Sequence, residues 1–189
     1  NIIDFPRIGV DGNKYTQNDI EEFYNEAFFE IIQKKLIQIP GNLNLTNHER
    51  YVLEVIIWYL ERILFACPIA LEKYSKLWKK SLSVYIVRDK FKDELLKAFN
   101  YAEHRKNGLI KHAKNLNVKS CPYCNMHYTL YAEKKGGTKK LAKFQFDHFY
   151  PKDSYPILSM SLYNLIPSCS ICNHAKSKKT TLSLDFHPY

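Results

Sequence analysis

Two pairs of cysteines in the second half of the chain have the spacing of metal ligands. Cys121 and Cys124 form one CxxC pair, and Cys169 and Cys172 form the other. One CxxC turn places two thiolates on one metal ion, and a second turn completes the tetrahedral site typical of structural zinc. In a reducing compartment this pattern favours a metal over disulfides or free thiols, which are the alternatives. The sequence therefore predicts a structural Zn²⁺ site.

Acidic, imidazole and amide side chains lie between these pairs and directly after them, at Asp147, His148, Asn164 and Asn173. Hydrolysis of a phosphodiester needs an activated water, a cation that balances the developing charge and an oriented substrate. A neutral imidazole can accept the proton of that water near neutral pH, so His148 is a candidate general base. Neighbouring side chains of a strand point to opposite faces, so Asp147 and His148 can serve one site only where a strand ends or is distorted.

Each of these residues has an ordinary explanation when it is taken singly. An isolated Asp-His pair most often lies on the surface, and a single asparagine most often belongs to a turn. Their joint position relative to the four cysteines favours a functional site instead, because a metal cluster would hold together the strand and helix ends that carry them.

The order of these residues resembles the HNH family of nucleases, which has the ββα-metal fold. The family pattern is CxxC, then Asp-His-x-x-Pro, then Asn-Leu, then CxxC-Asn-x-x-Lys. This chain carries every part in that order: Cys121/Cys124, Asp147-His148 with Pro151, Asn164-Leu165, Cys169/Cys172 with Asn173, and Lys176. The resemblance covers about residues 119–180 and says nothing about residues 1–110.

The resemblance implies a metal-dependent endonuclease that hydrolyses the phosphodiester bonds of DNA, with RNA as an open alternative. By this likeness His148 is the general base, and Asp147 and Asn173 bind the catalytic cation, Mg²⁺ or Mn²⁺. Asn164 supports the loop that orients the histidine. Ser177 stands where colicin-type members carry a further histidine, so the chain resembles the branch that binds its cation through Asp and Asn.

Basic residues around this pattern are candidates for contact with nucleic acid. The resemblance implies phosphate contacts for Lys176 and Lys152. A β-hairpin is predicted within residues 126–146, where two alternating, aromatic-rich runs flank a Gly-Gly turn. Its lysines, Lys139 and Lys140 among them, either grip nucleic acid or form a solvated turn.

The distribution of charge divides the chain into two unlike parts. Residues 1–100 hold 14 basic and 14 acidic residues, whereas residues 101–189 hold 14 basic and 5 acidic ones. The whole net charge of +9 therefore lies in the second half. Such asymmetry indicates a neutral scaffold joined to a part that meets a polyanion, although a basic surface can also serve solubility alone.

Apolar residues in the first half recur at helical spacing. An amphipathic helix is predicted over 20–39, ended by Pro40-Gly41. Thr46 and Glu49 have the spacing of a capping box that starts a second helix, which runs to about residue 66. Further helices are predicted over 69–81 and 88–105. This half is predicted to be an all-α bundle without catalytic residues.

Together these features predict an α+β protein with two domains. The first, over residues 1–116, is the helical bundle, and the second, over residues 117–189, is a zinc-stabilised ββα-metal domain of the HNH type. No stretch approaches the about 18 uninterrupted apolar residues of a membrane span. The first ten residues lack the pattern of a signal peptide. We therefore expect a cytoplasmic protein that binds DNA and no membrane.

Two other functions are compatible with the same residues. A zinc-stapled module that binds nucleic acid without cutting it would use the basic charge and the zinc equally well. Alternatively, the chain is one subunit of a larger complex, and its helical half docks a partner such as an ATPase. No Walker A loop is present, so nucleotide hydrolysis would have to come from that partner. The resemblance makes bacterial phage defence or restriction the expected setting.

Overall fold

The computed structural model describes residues 26–83, 87–107, 109, 112–113, 118–133, 140–176 and 187–188. Along these residues helices come first, and two small sheets and another helix follow. This mixture of helices and sheets confirms the predicted α+β class. None of the described helices combines the length and the apolar character that crossing a membrane requires.

Helices fill the described part of residues 26–107: α1 (Glu26–Asn42), α2 (Asn47–Trp58), α3 (Leu60–Leu64), α4 (Pro68–Ser83), α5 (Asp89–Phe99) and α6 (Tyr101–Asn107). The predicted capping box at the start of α2 is confirmed. The hydroxyl oxygen of Thr46 accepts a hydrogen bond from the Glu49 N–H at 3.2 Å, and the Glu49 carboxylate accepts one from the Thr46 N–H at 2.9 Å. Both donors belong to the unpaired amides of a helix start.

The end of α1 differs from the prediction that Pro40-Gly41 stops the helix. The helix passes through Pro40 and ends at Asn42, and residues 20–25 of the predicted helix lie outside the described residues. A proline removes the hydrogen bond of its own missing N–H. The helical pattern continues past the proline, because the Leu43 N–H donates to the Ile39 carbonyl at 2.9 Å. The missing hydrogen bond of Pro40 therefore affects only the last turn of the helix.

Two interruptions divide segments that were predicted to be single helices. Tyr59 separates α2 from α3, and Asn100 separates α5 from α6. Asn100 has a φ of 48°, in the left-handed region that asparagine enters more readily than most residues. The prediction of one helix over 88–105 was therefore wrong at this turn, after which Tyr101 begins a new helix.

Two antiparallel strand pairs lie among the described residues of the second part of the chain. Strand β1 (Leu130–Glu133) pairs with β2 (Lys140–Lys143), which confirms that two strands pair here, whereas the predicted Gly-Gly turn lies outside the described residues. Strand β3 (Gln145–His148) pairs with β4 (Leu165–Ser168), with His148 opposite Leu165. Two short 3₁₀ helices (Pro156–Leu158 and Leu162–Asn164) precede β4, and helix α7 (Ser170–Lys176) follows it.

One cluster of buried apolar side chains extends through both parts of the chain. It includes Leu36, Leu60 and Phe91 from the helices, together with Phe149 and Leu165 from the later part. In addition, the Ser161 hydroxyl donates a buried hydrogen bond of 2.6 Å to the Ile63 carbonyl. The helical part thus packs directly on the segment that carries the predicted site. The boundary between residues 116 and 117 stays a prediction.

An ion pair between buried Glu49 and the partly exposed Arg88 ties α2 to the start of α5. Glu49 is fully buried, and its carboxylate accepts a hydrogen bond of 2.9 Å from Arg88 Nε. The Arg88 guanidinium also donates to the Asn44 carbonyl at 2.6 Å. Burial by itself would raise the pKa of Glu49, but the hydrogen bonds from Arg88 and from the Thr46 amide outweigh it and lower that pKa to about 2.

Candidate functional site

The four paired cysteines converge on one point. The Sγ atoms of Cys121, Cys124, Cys169 and Cys172 all lie within 4.8 Å of one another, and Cys121 and Cys169 are buried. Each cysteine is a free thiol in this structure. Adjacent ligands of a tetrahedral zinc–thiolate site lie about 4 Å apart, given Zn–S bonds of about 2.3 Å. The cluster could therefore hold a metal ion such as zinc.

Local backbone bonds shape the two CxxC turns. In the first turn the Asn125 N–H donates to the Cys121 carbonyl and the Cys121 N–H donates to the His127 carbonyl, both at 2.7 Å. Asn125 takes the left-handed conformation, with a φ of 52°. In the second turn the Cys172 N–H points to Cys169 Sγ at 3.4 Å. These bonds hold each pair of cysteines in a tight turn, so that both sulfurs of a pair can face one point.

His127 adds a polar contact to this cluster. Its Nδ1 lies 3.5 Å from Cys124 Sγ, and this hydrogen bond lowers the pKa of the Cys124 thiol to about 5. Burial raises the pKa of the Cys172 thiol in turn. A divalent cation among the four sulfurs would favour the thiolate form of all of them. The available signal for this contact in the sequence is the position of His127, three residues after Cys124.

Asp147 lies buried at the centre of a polar network. Its carboxylate accepts a hydrogen bond of 2.6 Å from the Tyr123 hydroxyl. Lys176 Nζ lies 2.9 Å from Oδ2 and 3.1 Å from Oδ1, and the side chains of this ion pair are 8% and 5% exposed. Because Tyr123 belongs to the first CxxC turn and Lys176 to α7, both partners come from elements that the cysteine cluster joins.

His148 ends β3 and is held from one side by a backbone carbonyl. Its Nε2 lies 3.0 Å from the Ser159 carbonyl oxygen. Since a carbonyl can only accept, Nε2 carries the proton, and the lone pair is on Nδ1. Burial lowers the pKa of His148 to about 3, and its hydrogen bond to Ser159 opposes that effect without overcoming it. The imidazole is therefore neutral at pH 7.

The two faces of β3 meet different elements. Asp147 and Gln145 contact α7, where Lys176 and Asn173 are their partners, whereas His148 meets the helical part of the chain. This agrees with the alternation of side chains along a strand. Lys176 Nζ bridges the last two residues of β3: it donates both to the Asp147 carboxylate and to the His148 main-chain carbonyl, the latter at 2.6 Å. The positive charge of Lys176 also helps to lower the pKa of the His148 imidazole.

Asn164 is fully buried, and its side chain is hydrogen-bonded to the backbone of the loop that follows β3. Its Oδ1 accepts a hydrogen bond of 2.7 Å from the Tyr150 N–H, and its Nδ2 donates to the carbonyls of Tyr150 and Leu158 at 3.1 and 2.8 Å. The main-chain carbonyl of Asn164 accepts from the Phe149 N–H. These bonds fix the path of the chain between His148 and Ser159, which is the segment that holds the imidazole.

Asn173 lies on α7 beside β3, and its Nδ2 donates to Gln145 Oε1 at 2.6 Å. The carboxylate of Asp147 and the amide oxygens of Gln145 and Asn173 thus belong to one region between β3 and α7. Carboxylate and amide oxygens are the donors that Mg²⁺ and Mn²⁺ prefer, so the residues present fit a hard divalent cation. Such a cation would compete with Lys176, which supplies the positive charge next to Asp147.

The four lysines that were predicted to contact phosphate lie in different surroundings. Lys176 is engaged with Asp147, and Lys152 is half-buried with Nζ 5.5 Å from the centroid of the Tyr101 ring. Lys140 contributes its backbone to β2, opposite Glu133, and Lys139 lies outside the described residues. The first two are therefore beside His148.

Four contributors to this network carry no motif in the sequence: Tyr101, Tyr123, Gln145 and Ser159. Tyr123 lies inside a CxxC pair, and Gln145 lies two residues before Asp147, so position relative to the motif was the available signal for these two. Ser159 contributes a main-chain carbonyl, and Tyr101 is distant in the chain. No local pattern points to either.

Comparison of the chain with protein-family models, with curated proteins and with solved structures finds no match. The assignment of a family therefore depends on the short motif residues alone.

Proposed function

We propose that this protein is a metal-dependent endonuclease of the HNH type that hydrolyses phosphodiester bonds in DNA. The observation that carries the proposal is the imidazole of His148, fixed through Nε2 by the Ser159 carbonyl, directly after the buried and hydrogen-bonded Asp147 at the end of β3. A general base needs a fixed orientation and an available lone pair, and this arrangement supplies both.

His148 is the group that accepts a proton in the proposed reaction. Nδ1 takes the proton of a water whose oxygen forms the new bond to phosphorus, and the bond from phosphorus to the 3′ oxygen breaks. The leaving 3′ oxygen takes a proton from solvent water, and the imidazole then returns its own proton to solvent. The products are a 5′-phosphate and a 3′-hydroxyl. As the imidazole becomes positive, its Nε2–H bond to Ser159 becomes charge-assisted and therefore stronger, which stabilises the protonated base.

Asp147 and Asn173 are the proposed ligands of a Mg²⁺ or Mn²⁺ ion, which when bound supplies positive charge to the phosphate. Asp147 is held for that role by the Tyr123 hydroxyl. Lys176, displaced from the carboxylate, and Lys152 are then available to contact phosphate oxygens. The cysteine cluster, with zinc as the proposed metal, holds Tyr123 and α7 in place and takes no part in the reaction.

A second candidate function is a zinc-stapled module that binds nucleic acid without cutting it. The ion pair between Lys176 and Asp147 favours it, because the buried carboxylate is already neutralised without a divalent cation. The location of the whole +9 charge in the second half supports DNA binding in both cases. Phage defence or restriction, with a partner such as an ATPase, is the setting that we propose for either function.

Cleavage of supercoiled plasmid tests the endonuclease. Wild-type protein is compared with His148→Ala in the presence of Mg²⁺ or Mn²⁺, after equal zinc content has been established. His174→Ala serves as the matched control, because His174 is an exposed histidine of α7. We expect metal-dependent nicking or linearisation by wild type and by His174→Ala, and a loss of at least about 100-fold in His148→Ala.

Two other results would contradict this proposal. Equal cleavage by wild type and His148→Ala would mean that another residue, or a contaminant, is responsible. Retention of DNA binding without cleavage of DNA or of single-stranded RNA, with or without candidate partner proteins, would establish the binding module instead.

A further inference from the structure

An aromatic ring from the helical part lies against the candidate base. The ring of Tyr101, the first residue of α6, meets the imidazole of His148 edge-to-face, with centroids 4.4 Å apart and planes inclined by 68°. The Tyr101 hydroxyl lies 3.4 Å from the Phe146 carbonyl oxygen. Lys152 Nζ lies over the same ring, 5.5 Å from its centroid.

We propose that Tyr101 is a positioning residue for His148, and that the helical part therefore completes the hydrolytic site. The ring of Tyr101 restrains the imidazole to the orientation in which Nε2 meets the Ser159 carbonyl. The contact itself is independent of any reaction, whereas its consequence for catalysis rests on the proposed endonuclease function.

The need for such a residue follows from the other contacts of His148. The ring is held at Cγ by its bond to Cβ and at Nε2 by the hydrogen bond to Ser159, which leaves the plane of the ring free to rotate about the axis through these two atoms. A second contact on the ring removes this freedom, in the same way that outer partners orient metal-binding histidines. A displacement of about 1 Å at a catalytic group can lower a rate about 100-fold.

The ring of Tyr101, rather than its hydroxyl, performs this role. The hydroxyl contact at 3.4 Å is long for an O–H···O hydrogen bond and contributes little. Burial raises the pKa of Tyr101 to about 12, so the phenol stays protonated and exchanges no proton with the reaction near pH 7. The ring also receives the Lys152 ammonium on its face, which keeps that cation beside the imidazole.

Two substitutions of Tyr101 separate the ring from the hydroxyl. Tyr101→Phe keeps the ring, and Tyr101→Leu removes it while preserving apolar volume. Tyr74→Leu is the matched control, because Tyr74 is a partly buried tyrosine of α4 that packs on the core. Each full-length variant is measured for thermal stability, zinc content, plasmid cleavage (kcat and KM) and the imidazole NMR signals of His148, assigned by their loss in His148→Ala.

We expect Tyr101→Leu to lower kcat by about tenfold to 100-fold with KM changed less than about twofold. Its His148 signals should broaden or multiply, because the imidazole samples several orientations. Tyr101→Phe should keep kcat within about twofold and retain one set of signals. Tyr74→Leu should show neither change, even where its thermal stability falls.

The outcomes distinguish this inference from the proposed function. If wild type cleaves DNA, and Tyr101→Leu retains kcat and one sharp set of signals, the positioning role is overturned and the endonuclease stands. If wild type does not cleave DNA, but Tyr101→Leu alone disperses the His148 signals, the positioning role stands and the endonuclease fails. Equal impairment of Tyr101→Phe and Tyr101→Leu would overturn the assignment to the ring.

Discussion

Asp147 is the buried charge around which the polar residues of the candidate site are arranged. Its carboxylate is neutralised by Lys176 and held by the Tyr123 hydroxyl, and hardly any of the ion pair reaches solvent. Removing one partner of a buried pair leaves an uncompensated charge, which costs much more than loss of a surface pair. The stability of the folded protein therefore depends on a cation beside Asp147, whether an ammonium or a metal ion.

This dependence gives a prediction for Lys176→Met. In metal-free buffer the substitution should lower the free energy of unfolding by about 3 kcal/mol, because Asp147 stays buried without its counter-charge. Added Mn²⁺ should then raise the melting temperature of the variant more than that of wild type, since no ammonium competes for the carboxylate. Thermal unfolding followed by circular dichroism measures both effects.

Lys97→Met is the control for that comparison. The ammonium of Lys97 is largely exposed and pairs with Glu94 one turn earlier in α5. Its removal should leave the free energy of unfolding close to that of wild type, because exposed ion pairs contribute little, and should leave the response to Mn²⁺ unchanged. An equal Mn²⁺ shift in wild type and in Lys176→Met would contradict competition between the ion and Lys176.

Between secondary-structure elements, the pair of Glu49 and Arg88 joins α2 to α5 and makes their packing sensitive to acid. The pKa of Glu49 is lowered from 4.5 to about 2 in the folded protein. A carboxyl group with a lowered pKa contributes stability above its unfolded pKa, and this contribution disappears as the pH falls through the folded value. The relevant window therefore lies between about pH 4.5 and pH 2.

We expect Glu49→Gln to destabilise the protein by about 2 kcal/mol at pH 7, the magnitude typical of hydrogen bonds to a charged group. The difference from wild type should shrink as the pH falls below about 4.5, because wild-type Glu49 then loses its charge advantage. Denaturant unfolding at several pH values measures it. A difference that stays constant down to pH 2 would show that the charge of Glu49 is immaterial.

The turn at Asn100 gives a second prediction about the helices. Asn100→Ala should cost about 1 kcal/mol, because alanine pays more than asparagine to adopt a left-handed φ. Asn100→Gly should be close to neutral, since glycine enters that region freely. Because the turn places Tyr101 against His148, the alanine variant should also lower kcat of the proposed endonuclease. Chemical denaturation measures the change in stability, and plasmid cleavage measures the change in kcat.

For the molecule as a whole, the cysteine cluster should act as a cross-link between distant segments. We expect about one zinc per chain, and we expect its removal by a strong chelator to lower the melting temperature and abolish DNA cleavage together. Cys169→Ser should lose most of the zinc, whereas Cys67→Ser, at the half-buried fifth cysteine, should keep it. Zinc retained in full by Cys169→Ser would refute the cluster as the metal site.

Much of the fold follows from local patterns in the sequence. Apolar spacing predicted the helices, and Thr46 with Glu49 predicted where α2 begins. Alternation around a Gly-Gly turn predicted the hairpin of β1 and β2. The turn at Asn100 could not be predicted in this way, because the apolar spacing runs on past this asparagine without a break.

The candidate site was predictable only in part, for a related physical reason. CxxC spacing is a local property, so the convergence of four cysteines could be expected from the chain. The bonds that hold Asp147 and His148 join residues far apart in sequence, such as Tyr123 with Asp147 and Tyr101 with His148. A single aromatic residue belongs to no spacing pattern that would predict its role. The roles of these two tyrosines depend on how distant parts of the chain pack together.

The buried bond from Ser161 to the Ile63 carbonyl, together with the contact of Tyr101 with His148, bears on folding kinetics. Contacts across such long loops form late, because the entropy of closing the loop is lost before the contact is gained. For the proposed endonuclease, the helices of a newly made chain would therefore form before His148 reached the orientation that catalysis requires. Cleavage competence would thus arise as a final, cooperative step of maturation, which limits damage to nucleic acid by incompletely folded chains.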